Sequence, residues 1–251
     1  MQTVGVGIFC KTPAAGFSKT RLSPPLRPEE CGQLSACFIR DLAATINGLA
    51  LQSPTTPYAV YTPAGTEARL RTLLPAGFRL LRQCDGEFGV RLWQATRDLL
   101  DAGHAGAILV NADSPTLPAS ILRAAVLALR DDDVVVLGPA IDGGYTLIGV
   151  SRPHARLFED IPWSTPDVYR LTLARAGEIG VPVVSLPLWY DVDDQATLRL
   201  LEAEFAGKRP SFAEAHLKAE PALATRSFLR QRHAPLAFPE GGPPALQEPL
   251  R

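Results

Sequence analysis

Lys11, Lys19 and Arg21 fall in one short stretch, KTPAAGFSKTR, directly after the chain's first apolar run, and the chain has only four lysines in all. Small residues and Gly16 separate them, so the backbone there can approach a ligand closely while the cations neutralise it. The chemistry this suits is the binding of a diphosphate or triphosphate; a solvated basic turn is the plainer alternative. Carboxylates recur after later apolar runs. Asp113 leaves one in Asn111-Ala112-Asp113-Ser114-Pro115-Thr116-Leu117, and Asp142 leaves another, followed by Gly143, Gly144 and Tyr145. Asp191 and Asp193 follow a third, and on an extended segment they share a face. Carboxylate oxygens are the ligands a hard divalent cation takes, and Mg2+ commonly bridges protein carboxylates to phosphates. Each aspartate also has a local reading: Asp113 or Ser114 capping a turn, Asp142-Gly143 making a hairpin, Asp194 capping a helix.

Two further positions fit a nucleotide or sugar. Gly86, in Gln83-Cys84-Asp85-Gly86-Glu87-Phe88-Gly89, lets a flat base pack on the backbone, and Arg91 follows on the next helix. Trp163 suits stacking on a sugar or base, and equally suits anchoring a loop.

The elements that must carry these residues alternate. Strands are expected at 3–9, 57–62, 77–82, 106–111, 133–138, 145–150 and 181–187. Helices are expected at 28–50, 66–74, 88–102, near 118–130, from Thr165-Pro166-Asp167 to about 179, and at 194–206. Pro28 suits a first helical turn, with Glu29 and Glu30 favourable to the dipole. Such alternation predicts an α/β fold of three layers, α/β/α, with a mostly parallel sheet and right-handed crossovers. Ligands of such sheets bind beyond the carboxyl ends of the strands, where the cations and carboxylates lie. Residues 1–207 read as one nucleotide-binding domain. Residues 208–251 are richer in proline and read as a partly irregular C-terminal extension.

Composition narrows the classes. With 25 basic and 26 acidic residues, no basic excess points to nucleic acid. No apolar run is long enough to span a membrane, and no charged leader or cleavage site precedes the first strand. Cys10, Cys31, Cys37 and Cys84 show no metal or redox spacing and read as reduced residues of a cytoplasmic protein; the four histidines read as structural or exposed. Lys19 does not stand in a Walker frame. Gly5 and Gly7 lie inside the first strand, so no dinucleotide fingerprint is present either.

Five segments together resemble a known family. They are FCKTPAAGFSKTRL from Phe9, NADSPTL from Asn111, GPAIDGGYTLIG from Gly138, IPWSTP from Ile161 and YDVDD from Tyr190. In this order, over about residues 3–205, they are similar to the DUF2064 family, which groups with nucleotide-diphospho-sugar transferases of Rossmann-like GT-A fold. Some members of that group are linked to arsenosugar biosynthesis, and 2-phospholactate guanylyltransferase shares similar motifs. The resemblance implies that Lys11, Lys19 and Arg21 hold phosphates, that Asp113 with Asp191 or Asp193 holds Mg2+ (or Mn2+), and that Asp142, Gly143 and Gly144 line the acceptor side. The D-x-D usual in glycosyltransferases is missing at Asn111-Ala112-Asp113, so the second carboxylate must come from the Asp191/Asp193 segment.

Two chemistries follow. In nucleotidyl transfer, a small phosphate or phosphonate acceptor attacks the α-phosphorus of a nucleoside triphosphate and pyrophosphate leaves, with Lys19, Arg21 and Mg2+ neutralising charge. In glycosyl transfer, a nucleotide sugar gives up its sugar to a small-molecule acceptor, with Asp142 as base. The cation-rich loop tilts the reading to the first. A nucleotide-binding protein without catalysis is the remote alternative.

Overall fold

A computed structural model describes residues 2–130 and 133–233. Seven strands form one sheet: β1 (Val4–Lys11), β2 (Thr55–Thr62), β3 (Arg79–Arg82), β4 (Gly106–Asn111), β5 (Val135–Pro139), β6 (Tyr145–Val150) and β7 (Val183–Ser185). The helices are α1 (Pro28–Ala50), α2 (Glu67–Arg71), α3 (Phe88–Asp101), α4 (Ala119–Ala128), α5 (Val168–Glu178), α6 (Gln195–Phe205) and α7 (Leu223–His233). The sheet runs β3-β2-β1-β4-β6-β5-β7, parallel except for β6, which is antiparallel to both neighbours. The turn between β5 and β6 is too short for a crossover, so the chain must return as a hairpin. The expected three layers are present. One apolar core packs α1, α4, α6 and α7 on one face, and a second packs α3 and α5 on the other.

β1 is buried almost throughout, as a central strand covered on both faces must be. Its glycines make room for neighbours. A side chain at Gly7 would run into Val60, and one at Gly5 into His104. That histidine is structural: its ring nitrogens bond Thr3 Oγ1 at 2.7 Å and Tyr58 Oη at 2.9 Å. The four cysteines are free. Among the described residues no helix is long and apolar enough to cross a membrane.

Part of the proline-rich extension belongs to the packing. Asp41 of α1 accepts hydrogen bonds from the Ala224 and Thr225 amides and the Thr225 hydroxyl at 2.6–2.9 Å, which satisfies the start of α7 and fixes it on α1. The remainder of that extension, residues 234–251, lies outside the described residues. β1 and β4 are adjacent, yet the chain leaves β1 for β2 on the other side. This topological switch point opens a crevice beyond their carboxyl ends.

Candidate active site

The loop leaving β1 folds on itself. The Phe17 and Ser18 amides both donate to the Ala14 carbonyl at 3.2 Å, and Gly16 takes a positive φ of 73°. A 3-10 turn, Thr20–Leu22, follows, and Lys19 enters it with φ 52° and ψ 40°, a left-handed conformation rare for a side-chain-bearing residue. Across the crevice, the Val192 amide donates to the Asp113 carbonyl at 2.9 Å. That bond draws the segment after β7 onto the end of β4 and sets Asp193 beside Asp113. Lys19 Nζ lies between them, 2.8 Å from Asp113 Oδ1 and 2.6 Å from Asp193 Oδ1. Its side chain is only 5% exposed, whereas the two carboxylates keep 34% and 40%. Burial alone would lower the Lys19 pKa, but Asp113 and Asp193 outweigh it and hold the ammonium above its usual range.

The crevice has two connected chambers. The first, about 280 Å3, is lined by Lys11, Lys19, Arg21, Ser18 and Thr20 with Asp113 and Asp193. Lys11 and Arg21 make no hydrogen bond or ion pair among the described residues and are exposed to the chamber. Cys10 also lines it, but burial and then the Asp113 charge push its thiol up to about 12, which leaves it unreactive. The second chamber, about 420 Å3, shares Phe9, Arg21, Ala112, Asp113 and Asp193 with the first. It adds Asp142, Asp191, Asn111, Gly144, Tyr145 and Trp163. Its wall is an aromatic chain, with Phe88 edge-on to Phe9 at 5.6 Å and to Trp163 at 5.1 Å, and Trp163 edge-on to Tyr145 at 6.5 Å. The Tyr145 hydroxyl is buried there without a hydrogen-bond partner among the described residues.

The expected site residues therefore converge, with differences in detail. Lys11, Lys19, Arg21, Asp113 and Asp193 meet in the first chamber, and Asp142, Gly144, Trp163 and Asp191 in the second. Lys19 differs from expectation in already being paired with two carboxylates. Asp191 parts from Asp193: Asn111 Nδ2 donates to it at 3.4 Å, and Lys19 does not reach it. Burial first, then the charges of Asp142, Asp193 and Asp113, push its carboxyl up to about 7. Asp142 accepts the Gly144 amide at 2.9 Å in the β5–β6 turn, so the hairpin reading is realised while the residue still lines the chamber. Asp194 caps α6 through the Thr197 amide at 2.9 Å.

Four expected residues stand apart from the lining. Gly16 and Gly86, with positive φ, serve turns. Gly143 lies against Pro166, and its carbonyl accepts the Tyr169 amide at 2.9 Å, holding the start of α5. Arg91 donates to Gln83 Oε1 at 2.9 Å, and Gln83 in turn bonds the Cys10 and Val60 carbonyls, so this arginine braces strand ends and lines neither chamber. Phe88, Tyr145 and Gly89 were not anticipated. A side chain at Gly89 would collide with the Phe158 carbonyl and with Trp163 Nε1, so the bare α-carbon is what lets α3 approach the tryptophan.

Residues 45–165 match the model of DUF2064, described as an uncharacterized protein conserved in bacteria. Over that stretch the chain is similar to DUF2064. The matched part carries Asp113, Asp142 and Trp163, while Lys19 and Asp193 lie on either side of it. The chain is also similar to a crystal structure from Desulfovibrio desulfuricans G20 assigned as a nucleotide-diphospho-sugar transferase. The identity is 27%, with 92% of this chain and 96% of that one covered at a TM-score of 0.77. Two more distant structures share the fold. One is CMP:2-keto-3-deoxy-manno-octonic acid synthetase complexed with CTP, at 14% identity and TM-score 0.51, covering 82% of this chain and 99% of that one. The other is a cytidylyltransferase from Leptospira borgpetersenii serovar Hardjo-bovis, at 9% identity and TM-score 0.52, covering 92% and 95%. No curated protein matches the sequence significantly.

Proposed function

We propose that this protein is a nucleotide-using transferase that seats the phosphates of a nucleotide sugar in the first chamber and passes the sugar to a hydroxyl of a small acceptor in the second. The observation that carries this reading is the meeting of Lys19, Arg21, Asp113 and Asp193 at the switch point of the sheet. Lys11 and Arg21, unpaired, are the groups for phosphate oxygens. The second chamber supports a neutral, hydroxyl-bearing guest: it holds four aspartates against one arginine, together with an aromatic wall. An anionic acceptor would meet repulsion there. The loop's cation content, which from sequence favoured a triphosphate, is also reduced, because Lys19 spends its charge on two carboxylates.

In this reaction the acceptor oxygen bonds to the sugar's anomeric carbon as the bond from that carbon to the diphosphate oxygen breaks. The acceptor proton passes to a carboxylate, a role that Asp142 in the chamber's lining supports, and a nucleoside diphosphate leaves. Arg21, which lines both chambers, stands where charge develops on the leaving group. Among the described residues no group of three His, Cys, Asp or Glu side chains forms a metal cage. Mg2+ usually needs only one or two protein carboxylates, the rest of its shell coming from phosphates and water. Asp113 and Asp193 fit that donor set, since their oxygens already converge on one cationic nitrogen. When bound, a divalent ion would supply further charge neutralisation to the leaving diphosphate.

Nucleotidyl transfer from a triphosphate is the second reading, favoured by the two unpaired cations of the first chamber. A thermal-shift screen of nucleotide sugars against nucleoside triphosphates, with and without Mg2+, separates the two. A true ligand at a hundred times its Kd stabilises by about 2.7 kcal/mol. For a domain of this size that is a Tm rise of roughly 5–10 °C. Nucleotide sugars are expected to give the larger shift. A shift with triphosphates alone would replace glycosyl by nucleotidyl transfer, and tight binding without any turnover would leave a binding protein.

A further inference from the structure

The pairing of Lys19 poses a physical question about the cleft. The space between Asp113 Oδ1 and Asp193 Oδ1 is the natural seat for a cation, and the ammonium fills it at 2.8 and 2.6 Å. A divalent ion held by the same two oxygens would lie against the ammonium, and the repulsion between the two cations favours one occupant at a time. We infer that Lys19 is the resident cation of the Asp113–Asp193 pair and gives up its place when a divalent ion binds, its ammonium then being free for the nucleotide's phosphates. The inference rests on the nucleotide-transferase reading of the cleft, which supplies the ion and the phosphates.

Three features equip Lys19 to move. Its backbone is held in the left-handed region, a conformation that costs a non-glycine residue free energy and that a return to negative φ relieves. The loop before it contains the positive-φ Gly16 and Phe17, 74% exposed, so its tip carries little packing. Unpaired Lys11 and Arg21 line the same chamber, so an incoming polyphosphate meets two cations before it draws on the third. The carboxylates stay where they are, fixed by the Val192–Asp113 backbone bond and the start of α6. Lys19 thus neutralises the carboxylates in the empty cleft and becomes a phosphate ligand only in the loaded one.

Lysine acylation read by peptide mass spectrometry tests this on the unaltered full chain, with Mn2+ alone as the probe. The four lysines give a clean readout: Lys11, Lys208 and Lys218 are exposed and serve as references, whereas the Lys19 side chain is 5% exposed. Without metal, Lys19 is expected to label about tenfold more slowly than Lys208. With saturating Mn2+ its labelling should rise several-fold while Lys208 and Lys218 stay constant. In parallel, Mn2+ binding without nucleotide should be about tenfold tighter in Lys19→Met, because the competing charge is gone, and absent in Asp113→Asn/Asp193→Asn. Mn2+ binding that leaves Lys19 labelling unchanged overturns the exchange while keeping the metal site. No Mn2+ binding at millimolar concentration to the unaltered chain overturns the exchange together with the metal site. Neither result depends on the nucleotide screen, whose failure would instead remove the transferase reading. Should Lys19→Met fail to fold, the labelling of the unaltered chain still decides.

Discussion

The two chambers of the cleft differ in how they are built. The first takes half of its polar side chains from one loop, residues 17–21, and the others from Lys11 at the end of β1, Ser35 of α1, Asp113 and Asp193. The second is assembled from the ends of β4 and β6, the start of α3, the segment before α5 and the segment before α6. A chamber made from one loop tolerates backbone change as that loop does. A chamber made from many segments depends on the close approaches that hold them together. The contrast is sharpest at two glycines of positive φ. Gly143, at 87°, lies against the Pro166 backbone, whereas Gly16, at 73°, has open space where a side chain would go.

That contrast yields the largest expected effect. Gly143→Ala must both hold an unfavourable φ and push a backbone carbonyl aside, costing about 3–4 kcal/mol from left-handed strain plus overpacking. Gly16→Ala carries only the first of these, about 1–2 kcal/mol. Urea unfolding of the two variants measures the gap, and equal losses would mean that the second chamber does not depend on the Gly143–Pro166 contact. Next comes Arg21, the cation common to both chambers. Arg21→Ala is expected to lower kcat/KM by about 2–4 kcal/mol of transition-state stabilisation, as loss of a charge-stabilising donor does. Lys11→Ala, at the far side of the first chamber only, should cost less and act mainly through KM. If Arg21→Ala loses less than about tenfold, or roughly 1.4 kcal/mol, the shared arginine has no part in the reaction.

The same division explains what the sequence disclosed. Lys11, Lys19 and Arg21 could be read because they lie together in the chain, and Asp113 because it leaves a continuous apolar run. The three-layer fold was legible for a similar reason, since each apolar run and helix carries its own local period. The partner of Lys19 was not legible. A lysine in a loop reads as a free cation, and only the Val192 amide on the Asp113 carbonyl brings the second carboxylate within reach. The aromatic wall was hidden likewise: Phe9, Phe88, Tyr145 and Trp163 sit on four separate elements, and nothing local marks Phe88 as facing Trp163. One signal was available. Gly89 directly follows Phe88 in the first turn of a helix, where a glycine is unfavourable unless something must come close. Arg91 shows the opposite error, because an arginine beside a glycine-rich turn suggested a ligand contact while its Nη1 donates to Gln83 and it lines neither chamber.

The smallest effect probes the acidic floor of the second chamber. Asp191 ionises near neutrality in the folded chain, at about 7, whereas its ordinary value is 3.8. Below pH 4 the group is protonated in both states and contributes its full share of stability. As pH rises toward 7 the unfolded chain loses the proton while the folded chain keeps it, so this contribution falls; above about pH 7 both are ionised and the loss is complete. Asp191→Asn removes the titration and can still accept the Asn111 hydrogen bond. Relative to the unaltered protein it is therefore expected to gain stability between pH 5 and pH 8. The full conversion, roughly 1.4 kcal/mol per pH unit of displacement, is an upper bound because the carboxyl keeps some solvent contact; about 1–2 kcal/mol is the expected gain. Urea unfolding at the two pH values measures it. A gain that is equal at both would show that Asp142, Asp193 and Asp113 do not press on Asp191, and the second chamber would lose the acidic character that separates it from the first.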